Sequence, residues 1–143
     1  MAGPYARPVL THRNQDFLLR QIHAFAAGIL RALGKRDTAA EEEELDAQED
    51  DTETWLGLPI DHVVSMELSA LMDLLAGRGE QEPAQLLVLG LILARRHQSA
   101  APAQSRDSLR WKAVGLITRA IEAKPELLTS EVSEVLSALV AMQ

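Results

Sequence analysis

Apolar positions recur at helical spacing almost throughout this chain, and nowhere do they alternate with polar ones at the period of two that marks a strand. Leu18, Ile22, Phe25 and Ile29 follow one another at steps of four, three and four, with Leu19, Ala26, Leu30 and Leu33 alongside. That arc is wide enough to be buried over much of its circumference. Asn14 supplies an N-cap acceptor, Asp16 complements the positive end of the helix dipole, and Gly34 before Lys35 and Arg36 is a stop signal. The pattern predicts a first helix over 15–33, within an amphipathic segment 14–36 that follows a flexible lead-in over 1–13.

Hydrophobicity then lapses. Between Asp37 and Thr54 only Leu45 is large and apolar, which leaves little surface to offset the entropy of ordering, and Glu41 to Glu44 are four like charges in a row. The expectation is an acidic flexible tether over 37–54. Trp55, Leu56, Leu58, Pro59 and Ile60 restore the apolar signal, and Pro59 suits the first turn of a helix. The apolar residues from Val63 to Leu75 fit one or two short helices between 60 and 76, with Ser65 and Glu67 as the place for an internal restart, closed by Gly77 and Gly79. A third helix opens at Pro83 and carries Leu86, Leu89, Ile92 and Leu93 to about Gln98, and the stretch Ser99 to Ser105 reads as a loop. Ser105 or Asp107 caps a fourth helix holding Leu109, Val114, Ile117 and Ile121, which Pro125 ends. Thr129 or Ser130 caps a fifth, holding Val132, Val135, Leu136, Leu139 and Val140, with Glu131 and Glu134 supporting its start.

The fold class expected is therefore all-α, with about five helices, an acidic flexible loop after the first, and a helical bundle over 55–143 on which that first helix packs as part of one domain. Leu and Ala dominate and only five residues are aromatic, a composition that favours helices because these side chains lose little rotamer freedom there. At 143 residues and 47% hydrophobic content the chain can bury one core.

Charge changes the picture more than composition does. Residues 1–36 carry net +5, residues 37–82 net −14, and residues 83–143 net +2, within a total of −7. Ten of the twenty-one acids lie between Asp37 and Glu53. Such segregation speaks to assembly and partners. The acidic balance argues against non-specific nucleic-acid binding, which needs clustered cations to displace counterions. The absence of Cys excludes disulfides, thiolate metal sites and cysteine nucleophiles, and it fits the cytoplasm. No apolar run reaches the roughly 18 residues needed to span a bilayer, and the opening residues lack the continuous apolar stretch of a signal peptide.

The helical pieces from Pro83 onward resemble a degenerate tetratricopeptide unit, with Leu89-Gly90 as the Leu-Gly pair of its first helix and Ala120-Ile121-Glu122-Ala123-Lys124-Pro125 as the Ala…Pro ending of its second. Gly90 and Pro125 are thirty-five residues apart, about eleven more than the repeat normally allows. The whole order, from Asn14-Gln15-Asp16-Phe17 through the acidic gap to Leu56–Pro59 and a helical pair, is also similar to that of small uncharacterised bacterial helical proteins with a Gln-Asp-aromatic start. The resemblance implies a helical fold and supplies no catalytic residue.

Candidate chemistry is sparse. His12, His23, His62 and His97 have no i,i+3 or i,i+4 imidazole partner, so no metal site is expected, and no cofactor. His23 is expected to border the helix-1 core. Asp61-His62 reads as a helix start rather than a dyad, and Gly77-Arg78-Gly79 as a turn rather than a phosphate cradle. Trp55 and Trp111 are expected to pack in or beside the core. No catalytic constellation emerges, and the expected function is a non-enzymatic protein–protein interaction module or adaptor that binds a peptide or helix of a partner. Arg95, Arg96, Arg106 and Arg110 form the candidate basic patch, open either to a partner's acidic segment or to the chain's own. The alternative is a structural homodimer through Phe17, Leu18, Ile22, Phe25 and Ile29 of the first helix. Peripheral membrane attachment by that helix is opposed by the adjacent acids, and no stable membrane association is expected.

Overall fold

The computed structural model describes residues 20, 22–31, 39–97 and 103–141, and among these the chain is helical with no strand. We label the helical stretch 22–31 α1, followed by α2 (Ala39–Leu56), α3 (Ile60–Ser65), α4 (Leu68–Leu75), α5 (Glu82–Arg96), α6 (Ala103–Ala123) and α7 (Ser130–Ala141), with short 3-10 turns at Gly79–Gln81 and Pro125–Leu127.

The molecule is organised around α5. Every residue from Ala84 to Ala94 is buried, so this helix has no solvent face and must be covered on all sides. Its main cover is α6, which lays Leu109, Ala113, Leu116, Ile117 and Ala120 against it at i, i+4, i+7, i+8 and i+11. The crossing is close because Gly90 has no side chain: a Cβ there would stand 2.6 Å from Ile117 Cγ1 and 3.2 Å from the Ala113 carbonyl oxygen. Each fully buried Leu or Ile in such an interface contributes about 1.5–3 kcal/mol by removal from water.

The remaining helices complete the cover. Lys112 on α6 donates from Nζ to the carbonyls of Val64 (3.0 Å) and Met66 (2.9 Å), tying α6 to the open end of α3. Burial lowers the pKa of that ammonium against the pull of Glu67. Val132, Val135 and Leu139 bury the inner face of α7, whose start is capped by Thr129 Oγ1 accepting from the Val132 amide at 3.2 Å. From α1, Ile22, Phe25, Ala26 and Ile29 enter the same core.

Several expectations are corrected. The acidic stretch expected as a tether is helical from Ala39 onward. Glu, Ala, Gln and Leu are good helix formers, and the segment has an inward stripe of Leu45, Glu49, Thr52 and Leu56 that a count of large apolar residues overlooks. The Thr52 hydroxyl donates back to the Gln48 carbonyl at 2.7 Å within it. Helix α6 starts at Ala103, so Ser105 and Asp107 lie inside the helix and do not cap it. The middle region forms two helices, α3 and α4, parted between Ser65 and Leu68 where the restart was expected, and with α2 the count is seven rather than about five among the described residues. Trp111, expected beside the core, is 52% exposed. The outer parts of the first expected helix, including Phe17 and Leu18, and most of the loop before α6 lie outside the described residues.

Candidate functional site: an acidic helix clasped by arginines

Helix α2 carries nine carboxylates and no Lys or Arg. Its inward residue at mid-helix is Glu49, only 4% exposed. A buried carboxylate costs several kcal/mol unless charge and hydrogen bonds compensate, and here two guanidiniums do. Arg95 donates from Nη1 to Glu49 Oε2 at 2.5 Å, and Arg96 donates to Glu49 Oε1 from Nη2 at 2.8 Å and from Nε at 3.1 Å. The two Arg96 donors converge on one oxygen, so each carboxylate oxygen of Glu49 is met by a different guanidinium.

The clasp extends at both edges. Arg95 Nη2 also reaches Asp46 Oδ1 at 2.8 Å, and Arg96 Nη1 reaches Asp61 Oδ1 on α3 at 3.3 Å. At the carbonyl end of α2, Arg78 Nη1 donates to the Leu56 oxygen at 2.9 Å, where a cation meets both an unsatisfied acceptor and the negative end of the dipole. Burial would lower the Arg95 pKa, but hydrogen bonds to Glu49 and Asp46 outweigh it and the net shift is upward. The hydrogen bond to Glu49 raises that of Arg96 against the opposing effect of burial. Both stay charged at any working pH.

The arginines of the expected patch have different partners. Arg95 and Arg96, at the last turn of α5, hold the chain's own acidic segment. Arg110 lies on α6, where its Nη1 donates to the Leu139 carbonyl at 2.9 Å and its guanidinium stacks 4.7 Å from the Trp111 ring centre. Arg106 is exposed one turn before it. Facing these two is His97, buried at the end of α5, whose Nε2 has no hydrogen-bond partner among the described residues. Burial first, then the charges of Arg110 and Arg106, push its pKa down, with Asp107 opposing.

Of the first-helix residues, Ile22, Phe25 and Ile29 are buried within this chain's core. Leu45 of α2 sits over Gly28, where a Cβ would approach its Cδ2 to 2.8 Å, so α1 and α2 are in close contact. His23 is exposed on α1, and its Nδ1 lies 2.6 Å from Glu131 Oε2 on α7, an ion-pair distance without the alignment of a hydrogen bond. Beside the α2 terminus, an open hollow of about 460 Å³ is lined by Asp50, Glu53, Thr54, Gly57, Leu58 and Pro59.

Sequence reasoning missed Glu49 and Arg78. The signal for Glu49 was present, since Leu45, Glu49, Thr52 and Leu56 fall at i, i+4, i+7 and i+11 with the carboxylate at an inward position. Arg78 left no local signal, because its partner is a backbone oxygen 22 residues away. Among the described residues, no group of three or more His, Asp or Glu could hold a metal ion, and no helix is long and apolar enough to cross a membrane. No protein-family model, curated protein or solved structure matches the chain.

Proposed function

We propose that this chain is a non-enzymatic interaction module that binds an acidic helix at the surface formed by Arg78, Arg95 and Arg96, with its own α2 as the resident occupant. One observation carries the reading: Glu49 is almost wholly buried, yet both its oxygens are met by guanidiniums. That surface recognises a helix with a carboxylate at its inward mid-position, apolar residues where α2 has Leu45 and Leu56, and a free carbonyl end for Arg78. The α5–α6 pair is the scaffold, and we read it as the degenerate tetratricopeptide-like unit, with Leu89-Gly90 at the close crossing and Ala120 buried before Pro125.

The test is a labelled peptide of residues 39–56 titrated against full-length chains. In the unaltered chain α2 competes from an effective concentration on the order of millimolar, so the peptide binds weakly. In Glu49→Lys the resident helix is repelled, and the same peptide is expected to bind at least about tenfold tighter. An Arg95→Glu, Arg96→Glu chain should not bind it. Equal affinity for all three chains, or none for any, would sink the proposal.

A further inference from the structure

We propose that His97 is a pH-sensitive latch on the end of α7: while its imidazole is neutral Arg110 caps the last turn of that helix, and when the ring takes up a proton Arg110 is driven off. Register brings these groups together. Gly90 on α5 stands against Ala113 and Ile117 on α6, and the two helices run antiparallel because α6 begins at Ala103, shortly after α5 ends at Arg96. Seven residues return a helix to nearly the same face. Seven residues on from Gly90 is His97, and seven residues back from Ala113 and Ile117 are Arg106 and Arg110. The imidazole is therefore set opposite two guanidiniums at the end of the helix pair.

In that place His97 is 7% exposed, and its Nε2 is buried without a hydrogen-bond partner among the described residues. A neutral ring is tolerated there, whereas a charged one would be a third cation in the junction with no carboxylate of its own. Asp107 opposes the two arginines, but 66% of its side chain is exposed and water screens it. On α2, Asp46 and Glu49 are held by Arg95 and Arg96, and on α7, Glu131 and Glu134 lie in the first turns, away from Leu139. Burial and the two arginine charges keep the folded pKa below 6.5, so the ring is neutral at pH 7 and charges only in acid.

Arg110 is the group through which that charge reaches α7. Its Nη1 donates to the Leu139 carbonyl at 2.9 Å, in the last turn of the helix, where carbonyls lack an intrahelical partner and the dipole is negative. This is a C-terminal cap supplied by another helix. An imidazolium opposite Arg110 repels the guanidinium, and a guanidinium that moves away leaves the Leu139 carbonyl uncapped. Arg106 is exposed and can swing further into water without consequence for α7. The α5–α6 crossing over Gly90 is two helical turns away and stays packed.

Trp111 reports on the latch, because the Arg110 guanidinium stacks 4.7 Å from its ring centre. The chain has two tryptophans, so Trp55→Phe leaves Trp111 as the sole emitter. Its fluorescence is followed from about pH 7.5 to about pH 5, the range in which histidine titrates, in Trp55→Phe and in the same chain with His97→Leu. The expected result is an emission change with its midpoint below pH 6.5 in the first chain, most of the helicity by circular dichroism being retained across it, and a flat profile in the second. Should leucine prevent folding, His97→Gln is the second neutral variant, with the same flat profile expected. An unchanging emission in the chain that keeps His97, a transition of equal midpoint in the variants that lack it, or a collapse of helicity at the same midpoint would overturn the latch.

Discussion

Helices α5 and α2 touch, yet they are held by opposite means. Eleven consecutive buried residues fix α5, and α6 packs into it over Gly90. Along its eighteen residues α2 buries Leu45 and Leu56 with Glu49 between them, and it depends on three arginines supplied by the body. The difference lies in specificity. Apolar burial is non-directional and fixes α5 wherever a core exists, whereas a buried carboxylate accepts one arrangement of donors and is costly in any other. A helix of the second kind depends on its matched donors, so changing those donors should loosen it without dissolving the core.

The contrast can be broken most forcefully at the centre. Leu89 is fully buried, so Leu89→Ala leaves a void in the core and should cost about 3 kcal/mol of global stability, within the 2–5 kcal/mol range for such truncations, measured by urea unfolding. A loss under about 1 kcal/mol would mean that α5 is not the organising helix.

Glu49→Ala should cost less, on the order of 2 kcal/mol. A fully buried pair loses about 3–5 kcal/mol when broken, but Arg96 is 36% exposed and water takes over part of its partner's role. The loss should be local: amide exchange speeds up in α2 while the α5 amides keep the protection set by global unfolding. Uniform loss of protection in both helices would contradict a separately anchored α2.

Acid provides a third comparison, at the end of α5. The folded pKa of His97 is lowered from 6.5, so as pH falls below that value the unfolded chain binds the proton first. Stability contributed by neutral His97 is present above 6.5 and is lost as pH drops toward the depressed folded pKa. Thermal unfolding should therefore show a steeper fall in Tm below pH 6.5 for the unaltered chain than for His97→Leu. Parallel profiles would remove His97 from the account.

The smallest effect is expected on the outer face of α2. Asp50 and Asp51 are exposed, and Asp50→Asn with Asp51→Asn should change stability by no more than about 0.5 kcal/mol, with any gain reflecting relief of like-charge repulsion. A loss above about 1 kcal/mol in the same unfolding assay would show that these carboxylates have internal partners.

Local pattern was enough for the all-α class, for α5 and α7, and for the breaks at Gly77, Gly79 and Pro125, because helical periodicity, glycine and proline act within a few residues. It failed at α2, where the same reasoning weighed large apolar side chains and saw only Leu45. It also failed at Trp111, since a lone aromatic on a helix does not announce which face meets the core.

The sequence by itself determined where charge lies along the chain and that most of the chain is helical. Only the tertiary structure decided what that charge does. Ion pairing across 46 and 47 residues depends on α5 bringing Arg95 and Arg96 to the inner face of α2. No local rule encodes such a meeting, because two guanidiniums can converge on one carboxylate only after the apolar core has set the distance between the helices that carry them.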